Sequence, residues 1–512
     1  MSLTPSLPKD AAAVILLRQN TDPQNPEVFW VQRSEQLAFL GGYYAFPGGQ
    51  LDATDIEARV VNASSAEEAA MISCAARELF EELGVLAARK SETLTSGQRA
   101  SLLDDLESGR MPWPALLEHY DLHLDAHDFT FAGRWVTPPF SARRFDTWFF
   151  LVNCPAKQEP RVAPGELESG EWITARAGYE RWQDSEVLAV PPILHALRTL
   201  SGGMTSDLIE RFLASPNAQS EPVRRIEFRP NYISFPVRTP TKPPATHTNC
   251  YLIYSSDELL VVDPGSPYED ERQTLAAEID KLMSSGRIFS QMVLTHVHPD
   301  HVAGVNALRT HLEQTWPAAT VTVAAHRLTA AALPDDVRVD RFIEDGDVIE
   351  LSGEPKISLR ALHTPGHARG HLCFHEARTG TLLTGDNILG LGSVLIDPPE
   401  GHMSNYLSSL ERMRNLPGLS VLFPGHGPAI GNPYRKIEEY INHRLEREQL
   451  ILEAVRGGAT TPREIVGRAY TDVSPKAHAM AERAVLAHLE KLIEDGRVIS
   501  NASGLYEVAI VS

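Results

Sequence analysis

The stretch THVHPDH, residues 295 to 301, places three histidines and an aspartate within six positions. A single histidine is usually a core side chain with one hydrogen bond. A cluster differs, because imidazoles crowded against the carboxylate of Asp300 are unfavourable unless a cation collects them. Zinc or a similar transition metal is the ion that such ligands favour. The stretch therefore predicts a metal site built on His296, His298 and His301.

The bulk composition indicates a globular, acidic chain. With 512 residues, two or three domains are expected, and 43% apolar and 22% charged residues are ordinary values. The formal charge of -20 repels nucleic acid phosphates and leaves room only for a local basic groove. Composition thus disfavours a general nucleic-acid binder.

Cysteines and hydropathy indicate the compartment. The apolar run at residues 11–17 is too short for a membrane span and is predicted to be a buried strand. The cysteines are far apart, which suggests neither a disulfide framework nor a cysteine zinc site. They are Cys74, Cys154, Cys250 and Cys373. We expect a cytoplasmic protein that does not contact membranes.

Three domains are predicted along the chain. The first, residues 1–218, mixes strands at 27–33 and 145–152 with a helix at 64–83, and a polar segment at 215–225 that contains prolines is predicted to be a linker. The second covers residues 226–435 and the third residues 436–512. The expected fold class is multi-domain α/β.

The second domain shows apolar strand candidates that end in polar or metal-capable residues, which is typical of an α/β sandwich. They lie at 250–254, 258–263, 291–296, 357–363, 381–386 and 420–426. Three further candidate ligands follow these strands, namely His367, Asp386 and His426. Together with the opening stretch they supply five histidines and two aspartates. That set suffices for two ions with one carboxylate bridging them.

Residues 230 to 430 resemble the metallo-β-lactamase-fold hydrolases, which implies an αββα sandwich with two zinc ions. The resemblance implies a first ion on His296, His298 and His367, a second on Asp300, His301 and His426, and Asp386 as the bridge. It also assigns Asp263 a supporting role. The blocks EDGDVI, TPGHARGH, GDNILG and PGHGP resemble the lactamase-like endoribonuclease branch.

The chemistry that this resemblance implies is hydrolysis. Zinc acidifies a water and polarises a carbonyl or phosphoryl oxygen, with Asp300 as ligand and proton acceptor. The alternatives are a metal-free relic and a purely structural zinc. Four other histidines are placed outside the ligand set, on the surface or beside the ligands: His247, His326, His371 and His402.

The first domain carries RELFEELGV at residues 77–85, in which Glu78, Glu81 and Glu82 share one helical face. A solvated acidic face would explain the glutamates alone. It would not explain Gly84 as the helix end or the FPGG loop at residues 46–49.

Together these features resemble the Nudix hydrolases, which implies an α/β/α fold. The resemblance implies Mg²⁺ or Mn²⁺ on the three glutamates, with Glu78 or Glu82 as the base for attack on a diphosphate. The family spacing would put a glutamate at Ala69, and residues inserted after FPGG would displace it; a capping box from Ser65 to Glu68 explains the nearby Glu68 equally well.

QRSEQLAFLGGYYAFPGG, residues 32–49, and RRFDTWFFL, residues 143–151, resemble the coenzyme A diphosphatase branch. That resemblance implies substrate contacts from Arg33, Gly48 and Gly49, although Ala38 stands where the branch has its second arginine. The expected substrate is a nucleotide or coenzyme A derivative. The alternative is an inactive scaffold kept for binding or regulation.

The tail has the order of a winged helix, three helices and then a hairpin. Its basic and acidic residues nearly balance, so a module that packs on the hydrolase or forms a homodimer is favoured over nucleic-acid binding.

The functional prediction is a bifunctional hydrolase. The first domain would cleave a diphosphate, and the second would cleave phosphodiesters of single-stranded RNA, as the endoribonuclease resemblance implies. A thioesterase acting on acyl-CoA is the alternative for the second domain. The last alternative is a non-catalytic regulator that senses a nucleotide and binds DNA through its tail.

Overall fold

The computed structural model describes residues 7–19, 21–37, 40–138, 141, 143–163, 165–219 and 223–509. The chain forms two compact units, residues 1–233 and 234–512. The predicted domain boundaries at 218, 226 and 435 stay predictions. Among the described residues, no helix is both long and apolar enough to cross a membrane.

The first unit contains a mixed sheet and six α-helices among its described residues. The strands are β1 Lys9–Leu17, β2 Glu27–Arg33, β3 Tyr44–Ala45, β4 Gly48–Gln50, β5 Val60–Val61, β6 Leu124–Asp125, β7 Thr130–Val136, β8 Phe145–Asn153, β9 Leu167–Thr174 and β10 Ile226–Arg229. The helices are α1 Ala66–Leu83, α2 Ser96–Glu107, α3 Trp113–His119, α4 Ala175–Gln183, α5 Pro191–Ser201 and α6 Leu208–Leu213.

The central sheet of this unit has the order β3-β2-β1-β8-β7, with β4 paired to β1 and β9 to β2. Alternation along β2 separates its two faces: Phe29 lies in the core that α1 covers, whereas Trp30 lies against Gly178 of α4. Helices therefore cover both faces, as the predicted α/β/α layering requires.

Helix α1 is bounded by clear capping signals. The Ser65 hydroxyl accepts the Glu68 N–H, and Gly84 ends the helix in the left-handed conformation at φ 63°, as predicted. The predicted capping box forms only in part, because the Glu68 carboxylate accepts the N–H of Ser64 and not that of Ser65. The start of α1 is therefore held by Ser64 and Ser65 together.

The second unit contains two sheets, eight α-helices and a small hairpin among its described residues. Its strands are β11 Tyr232–Arg238, which spans the unit boundary, β12 His247–Tyr254, β13 Glu258–Val262, β14 Ile288–Val293, β15 Val323–Ala325, β16 Arg341–Phe342, β17 Val348–Leu351, β18 Ile357–His363, β19 Leu372–Glu376, β20 Thr381–Gly385, β21 Val421–Pro424, β22 Val498–Ser500 and β23 Tyr506–Val508. Its helices are α7 Glu269–Met283, α8 Pro299–Val302, α9 Val305–Thr315, α10 Arg327–Ala332, α11 Met403–Arg414, α12 Pro433–Arg456, α13 Pro462–Ala469 and α14 His478–Glu494.

From β11 onward, the seven-stranded sheet has the order β11-β12-β13-β14-β15-β16, and the second sheet has the order β17-β18-β19-β20-β21. All six predicted strands of this region are present. Candidate ligands follow β14 in the first sheet and β18, β20 and β21 in the second. The fold thus delivers side chains from both sheets to one edge.

The tail has the predicted winged-helix order, α12, α13, α14 and the hairpin of β22 with β23. Helix α12 belongs to two cores. Ile437 and Ile441 pack with the second sheet and α11, whereas Ile451 and Val455 pack with α13 and α14. The second sheet and the tail are therefore joined by one continuous helix.

Candidate functional site

The structure brings the seven predicted ligands of the second unit together. Two groups each place one ligand atom per residue within 4.8 Å of the others: His296, His298 and His367, and Asp300, His301 and His426. These are the two trios that the family resemblance implies. Residues about 130 positions apart in sequence thus converge, because strands of both sheets end here.

Asp386 lies between the two trios. Its Oδ2 is 3.6 Å from His367 Nε2 and 3.4 Å from His426 Nε2, and its Oδ1 is 3.3 Å from His301 Nε2. One carboxylate therefore faces histidines of both groups, which is the position of a bridging ligand.

Several of these buried atoms lack a hydrogen bond to any described residue: His296 Nε2, His301 Nε2 and Asp386 Oδ1. Buried polar atoms are normally paired, so unpaired atoms that point at one another require an explanation. A metal ion is the species to which imidazole nitrogens and a carboxylate oxygen donate lone pairs together. The residues present therefore fit a metal centre.

Electrostatics divides the histidines. Burial lowers the pKa of His296 and His298, and burial together with His298 lowers that of His367 to about 4, so these rings are neutral. Neutral imidazole is the form that binds metals. Burial opposes the charge on His426 as well, but Asp386 and a hydrogen bond to Asp300 raise its pKa to about 9. The carboxylates of Asp300 and Asp386 thus stabilise a positive charge placed between them and His426.

Three rings are oriented by acceptors outside the site. The Nδ1–H groups of His301, His367 and His426 donate to Asp263 Oδ2 at 2.8 Å, Leu395 O at 2.9 Å and His247 O at 2.7 Å. In the neutral form that binds a metal, an Nδ1–H held by these acceptors leaves the lone pair of each ring on Nε2, which points inward. The rings are therefore pre-oriented as ligands.

Asp263 supports the centre at a conformational cost. It has φ 52°, an unfavourable region for a residue with a side chain, and its carboxylate also accepts the N–H of Thr295 at 2.8 Å. That bond fixes the chain immediately before His296. The predicted supporting role of Asp263 thus has a specific geometry.

His371 is the residue whose importance the sequence concealed. It is fully buried, and its Nε2 accepts the backbone N–H of Asp386 at 3.1 Å. The expectation of a surface position is wrong for this ring, while the expectation that it lies beside the ligands is met. The available signal was its spacing of four residues after His367, inside TPGHARGH.

Close backbone approach explains one glycine of the PGHGP block. A Cβ at Gly425 would lie 2.3 Å from Asp386 Oδ1 and 2.9 Å from the His301 ring. Only glycine allows the end of β21 to pass this near the carboxylate. Two of the ligands, His298 and Asp300, are only partly buried and so reach solvent.

In the first unit, Arg77 and the glycine loop hold the three candidate glutamates at the end of α1. Arg77 donates to Glu78 Oε1 at 2.9 Å and to Glu81 Oε2 at 2.7 Å, while Glu82 Oε2 accepts the N–H of Gly48 at 2.9 Å. Burial raises the pKa of Glu78 to about 7 and that of Glu82 to about 8. Carboxylates held apart from solvent in this way fit a divalent cation, which would favour their ionised forms.

The glycine loop lies against these carboxylates. A Cβ at Gly49 would be 2.5 Å from the Glu78 carboxyl group, so the loop approaches the glutamates as closely as glycine permits. A cavity of about 380 Å³ opens beside them, lined by Arg77, Glu78, Glu81, Leu106 and Trp113 among others. The solvated acidic face is therefore wrong as an account of these residues.

Asp55 was missed by the sequence reasoning. It is fully buried, and its two oxygens accept the Nε–H and an Nη–H of Arg77, both at 2.9 Å. Ala69, where the family spacing expects a glutamate, lies eight residues before Arg77 on the same helix. A rise of about 1.5 Å per residue separates them by roughly 12 Å, too far for a contact. The 3₁₀ turn Ala53–Glu57 supplies the carboxylate that pairs with Arg77.

Arg33 ends β2 and is partly buried, with its Nε unpaired among the described residues. Ala38 lies outside the described residues. The remaining histidines have local roles: His326 accepts the N–H of Leu328, and His402 caps α11.

Known proteins match both parts of the second unit. The sequence profile of the metallo-beta-lactamase superfamily matches residues 243–426, and that of the beta-lactamase associated winged helix domain matches residues 461–505.

A solved NUDIX hydrolase from Alicyclobacillus acidocaldarius is 32% identical, covering 40% of this chain and 95% of its own, with a TM-score of 0.34.

Two curated relatives cover about half of this chain. The lactamase-like protein aptB of Emericella nidulans is 32% identical over 49% of this chain and 77% of its own length. The atrochrysone carboxyl ACP thioesterase of Aspergillus chevalieri is 31% identical over 50% of this chain and 79% of its own. On this similarity and the matched profile, the chain belongs to the metallo-beta-lactamase superfamily.

Proposed function

We propose that the second unit is a dinuclear metallohydrolase that cleaves an acyl thioester. The observation that carries this proposal is the pair of ligand trios on either side of Asp386, open to solvent beside His298 and Asp300. A structural zinc site is closed by four ligands, whereas this set leaves coordination positions free.

Each residue has a role in this proposal. His296, His298 and His367 would hold one ion, Asp300, His301 and His426 would hold the other, and Asp386 would be shared by the two. When bound, zinc ions acidify a water and polarise the substrate's acyl oxygen. His426 and His301 lower the pKa of Asp300 although burial alone would raise it, so this carboxylate is ionised. In this proposal the ionised Asp300 is the group that accepts the proton of the attacking water.

The thioester is favoured over RNA for two reasons. Two of the relatives are named atrochrysone carboxyl ACP thioesterases, which act on a carbonyl carbon. A net charge of -20 also opposes the long phosphate backbone of RNA. Cleavage of single-stranded RNA stays a prediction, and the experiment below includes it.

We also propose that the first unit is a Nudix-type diphosphatase that acts on coenzyme A or an acyl-CoA. The supporting observation is the set of partly buried glutamates beside the glycine loop, in which Glu78 and Glu81 accept from Arg77 and Glu82 accepts from Gly48. Glu78, Glu81 and Glu82 hold Mg²⁺ or Mn²⁺, and Glu82 is the base that activates water. Arg33, Gly48 and Gly49 contact the substrate.

The test is mass spectrometry of the products after the purified full chain is incubated with a medium-chain acyl-CoA, zinc and magnesium. For the second unit, the expected products are free coenzyme A and fatty acid. Their formation should be lost in Asp300→Ala and kept in Glu82→Gln. Adenosine 3′,5′-bisphosphate with acyl-phosphopantetheine, lost only in Glu82→Gln, is expected for the first.

A parallel incubation with a single-stranded RNA oligonucleotide covers the competing reaction. RNA cleavage that depends on Asp300, with no thioester cleavage, would replace the thioesterase proposal with the endoribonuclease. An intact acyl-CoA together with intact RNA would remove both.

A further inference from the structure

The segment between residues 387 and 402 orients one of the proposed metal ligands. Its Leu395 carbonyl accepts the Nδ1–H of His367 at 2.9 Å. At its end, the His402 N–H donates to Gly366 O at 2.7 Å, immediately before His367 in the chain. The position of this segment therefore sets both the ring and the backbone of His367.

The first helix of the tail holds the beginning of this segment. The Tyr440 hydroxyl lies 3.2 Å from both the N–H and the carbonyl oxygen of Leu389, and Arg444 donates to the carbonyl of Val394. Tyr440 and Arg444 are both buried. Val394 adjoins Leu395, so this contact is one residue from the carbonyl that holds His367.

The last helix of the tail holds the end of the segment. Arg483 donates through Nε to Asp397 Oδ1 at 2.6 Å and also to the carbonyl of Pro398. Glu494 accepts from the Ser404 hydroxyl at 2.5 Å and lies 2.8 Å from His402 Nε2. Contacts from α12 and α14 thus hold the segment at both ends.

One face of α14 makes these contacts. Arg483, Ala487 and Glu494 are four and seven residues apart, which places them on the same side of a helix. Ala487 lies in the core shared with the second sheet. The last helix of a winged helix is the one that enters a DNA groove in nucleic-acid readers, but here this face is occupied by the hydrolase.

We propose that the winged-helix tail is a positioning element of the metal centre, in which Arg483 and Glu494 hold residues 387–402 so that Leu395 orients His367. The metal-binding part of this inference rests on the proposed function of the second unit. The contacts by which the tail holds residues 387–402 do not depend on that proposed function.

The charges involved suit a test by mutation. The Arg483 and Asp397 side chains are 44% and 41% exposed, so their ion pair adds little to global stability. Loss of the pair is expected to free the segment without unfolding the protein. Arg468 provides a matched control, because it donates to Gly457 O inside the tail and does not contact the segment.

The experiment compares Arg483→Ala, Glu494→Gln, Arg483→Lys and Arg468→Ala in the full chain. The first readout is hydrogen–deuterium exchange of peptides covering residues 388–400 in protein stripped with a chelator. The second is zinc affinity by competition with a chromogenic chelator, and the third is the visible absorption spectrum of the cobalt(II)-substituted protein.

The expected result is faster exchange in this segment for Arg483→Ala and Glu494→Gln, with zinc affinity lower by about three- to tenfold, below the usual range for direct partners of a ligand. The cobalt spectrum should shift, Arg483→Lys should restore part of each effect, and Arg468→Ala should match the unaltered protein.

Unchanged exchange and zinc affinity in Arg483→Ala would overturn the inference. So would loss of binding to duplex DNA in Arg483→Ala with an unchanged metal centre, because the face would then be a nucleic-acid surface. If the unaltered protein bound no zinc, the proposed function would fail, and the exchange data alone would still decide whether the tail holds the segment.

Discussion

The two candidate sites of this chain differ in how the fold assembles them. The first takes its three glutamates from five consecutive positions of one helix, whereas the second takes seven ligands from the ends of strands in two sheets. A helix presents neighbouring side chains on one face by itself, so local sequence sets most of the first site. Strand ends meet only after both sheets pack, so the second site depends on tertiary structure.

The largest effect is expected when a carboxylate of the strand-end site is removed. Asp300→Ala should lower thioester hydrolysis by about a thousandfold or more, since it removes a ligand and the proton acceptor together. Diphosphate cleavage by the first unit should stay unchanged. Steady-state assays of both reactions on one preparation measure this, and retained thioesterase activity would remove the assignment of Asp300.

The reciprocal change tests whether the sites are independent. Glu82→Gln should lower diphosphate cleavage by roughly a hundredfold or more, because the amide cannot act as a base. The Gly48 N–H can still donate to the side-chain amide oxygen at position 82, so the glycine loop should keep its position. Loss of both activities in this variant would show that the two sites are coupled.

Asp55→Asn tests the non-local part of the helical site. Removing the charge of Asp55 should lower the free energy of unfolding by roughly 2 kcal/mol, since Arg77 keeps Glu78 and Glu81 but loses its fully buried carboxylate partner. Magnesium affinity should fall about tenfold. Urea denaturation and magnesium titration of activity measure these effects.

Glu68→Gln is the matched control for that variant, because Glu68 is adjacent to the position that the family spacing predicts but contacts Ser64. It should leave magnesium affinity unchanged. Equal effects in the two variants would contradict the role given to Asp55.

The smallest effect is expected for substitution of His371, whose ring accepts the backbone N–H of Asp386. His371→Leu removes the acceptor of the Asp386 N–H and should weaken zinc binding by about tenfold while leaving some turnover at saturating zinc. Zinc titration of thioesterase activity measures this shift. Full loss of activity at saturating zinc would instead make His371 part of the reacting centre.

Patterns with a fixed period were predicted well. The helix at α1 and its end at Gly84, all six strands of the ligand region and the order of the tail follow from hydrophobic periodicity and turn residues. Short strands such as β15 and β16, with three and two residues, carry too little periodic signal and were not predicted. Their positions follow from pairing with neighbouring strands.

The histidines and aspartates that ligand spacing marks were identifiable without coordinates, because HxHxDH and the strand-end residues are unusual combinations. Asp55 was not identified, and His371 was placed on the surface or beside the ligands without a specific role. Asp55 reaches Arg77 from a turn 22 residues earlier in the chain. His371 acts through a backbone N–H, which leaves no mark in the sequence of its partner.

The amino-acid sequence by itself determined the residue types of both sites and the elements that carry them, since periodicity and metal-ligand chemistry act over short distances along the chain. Only the tertiary structure decided that Asp386 lies between two trios, that Asp55 anchors Arg77, and that α14 holds the segment beside His367. Those contacts join residues far apart in sequence, and they arise from packing of sheets and helices that no local pattern encodes.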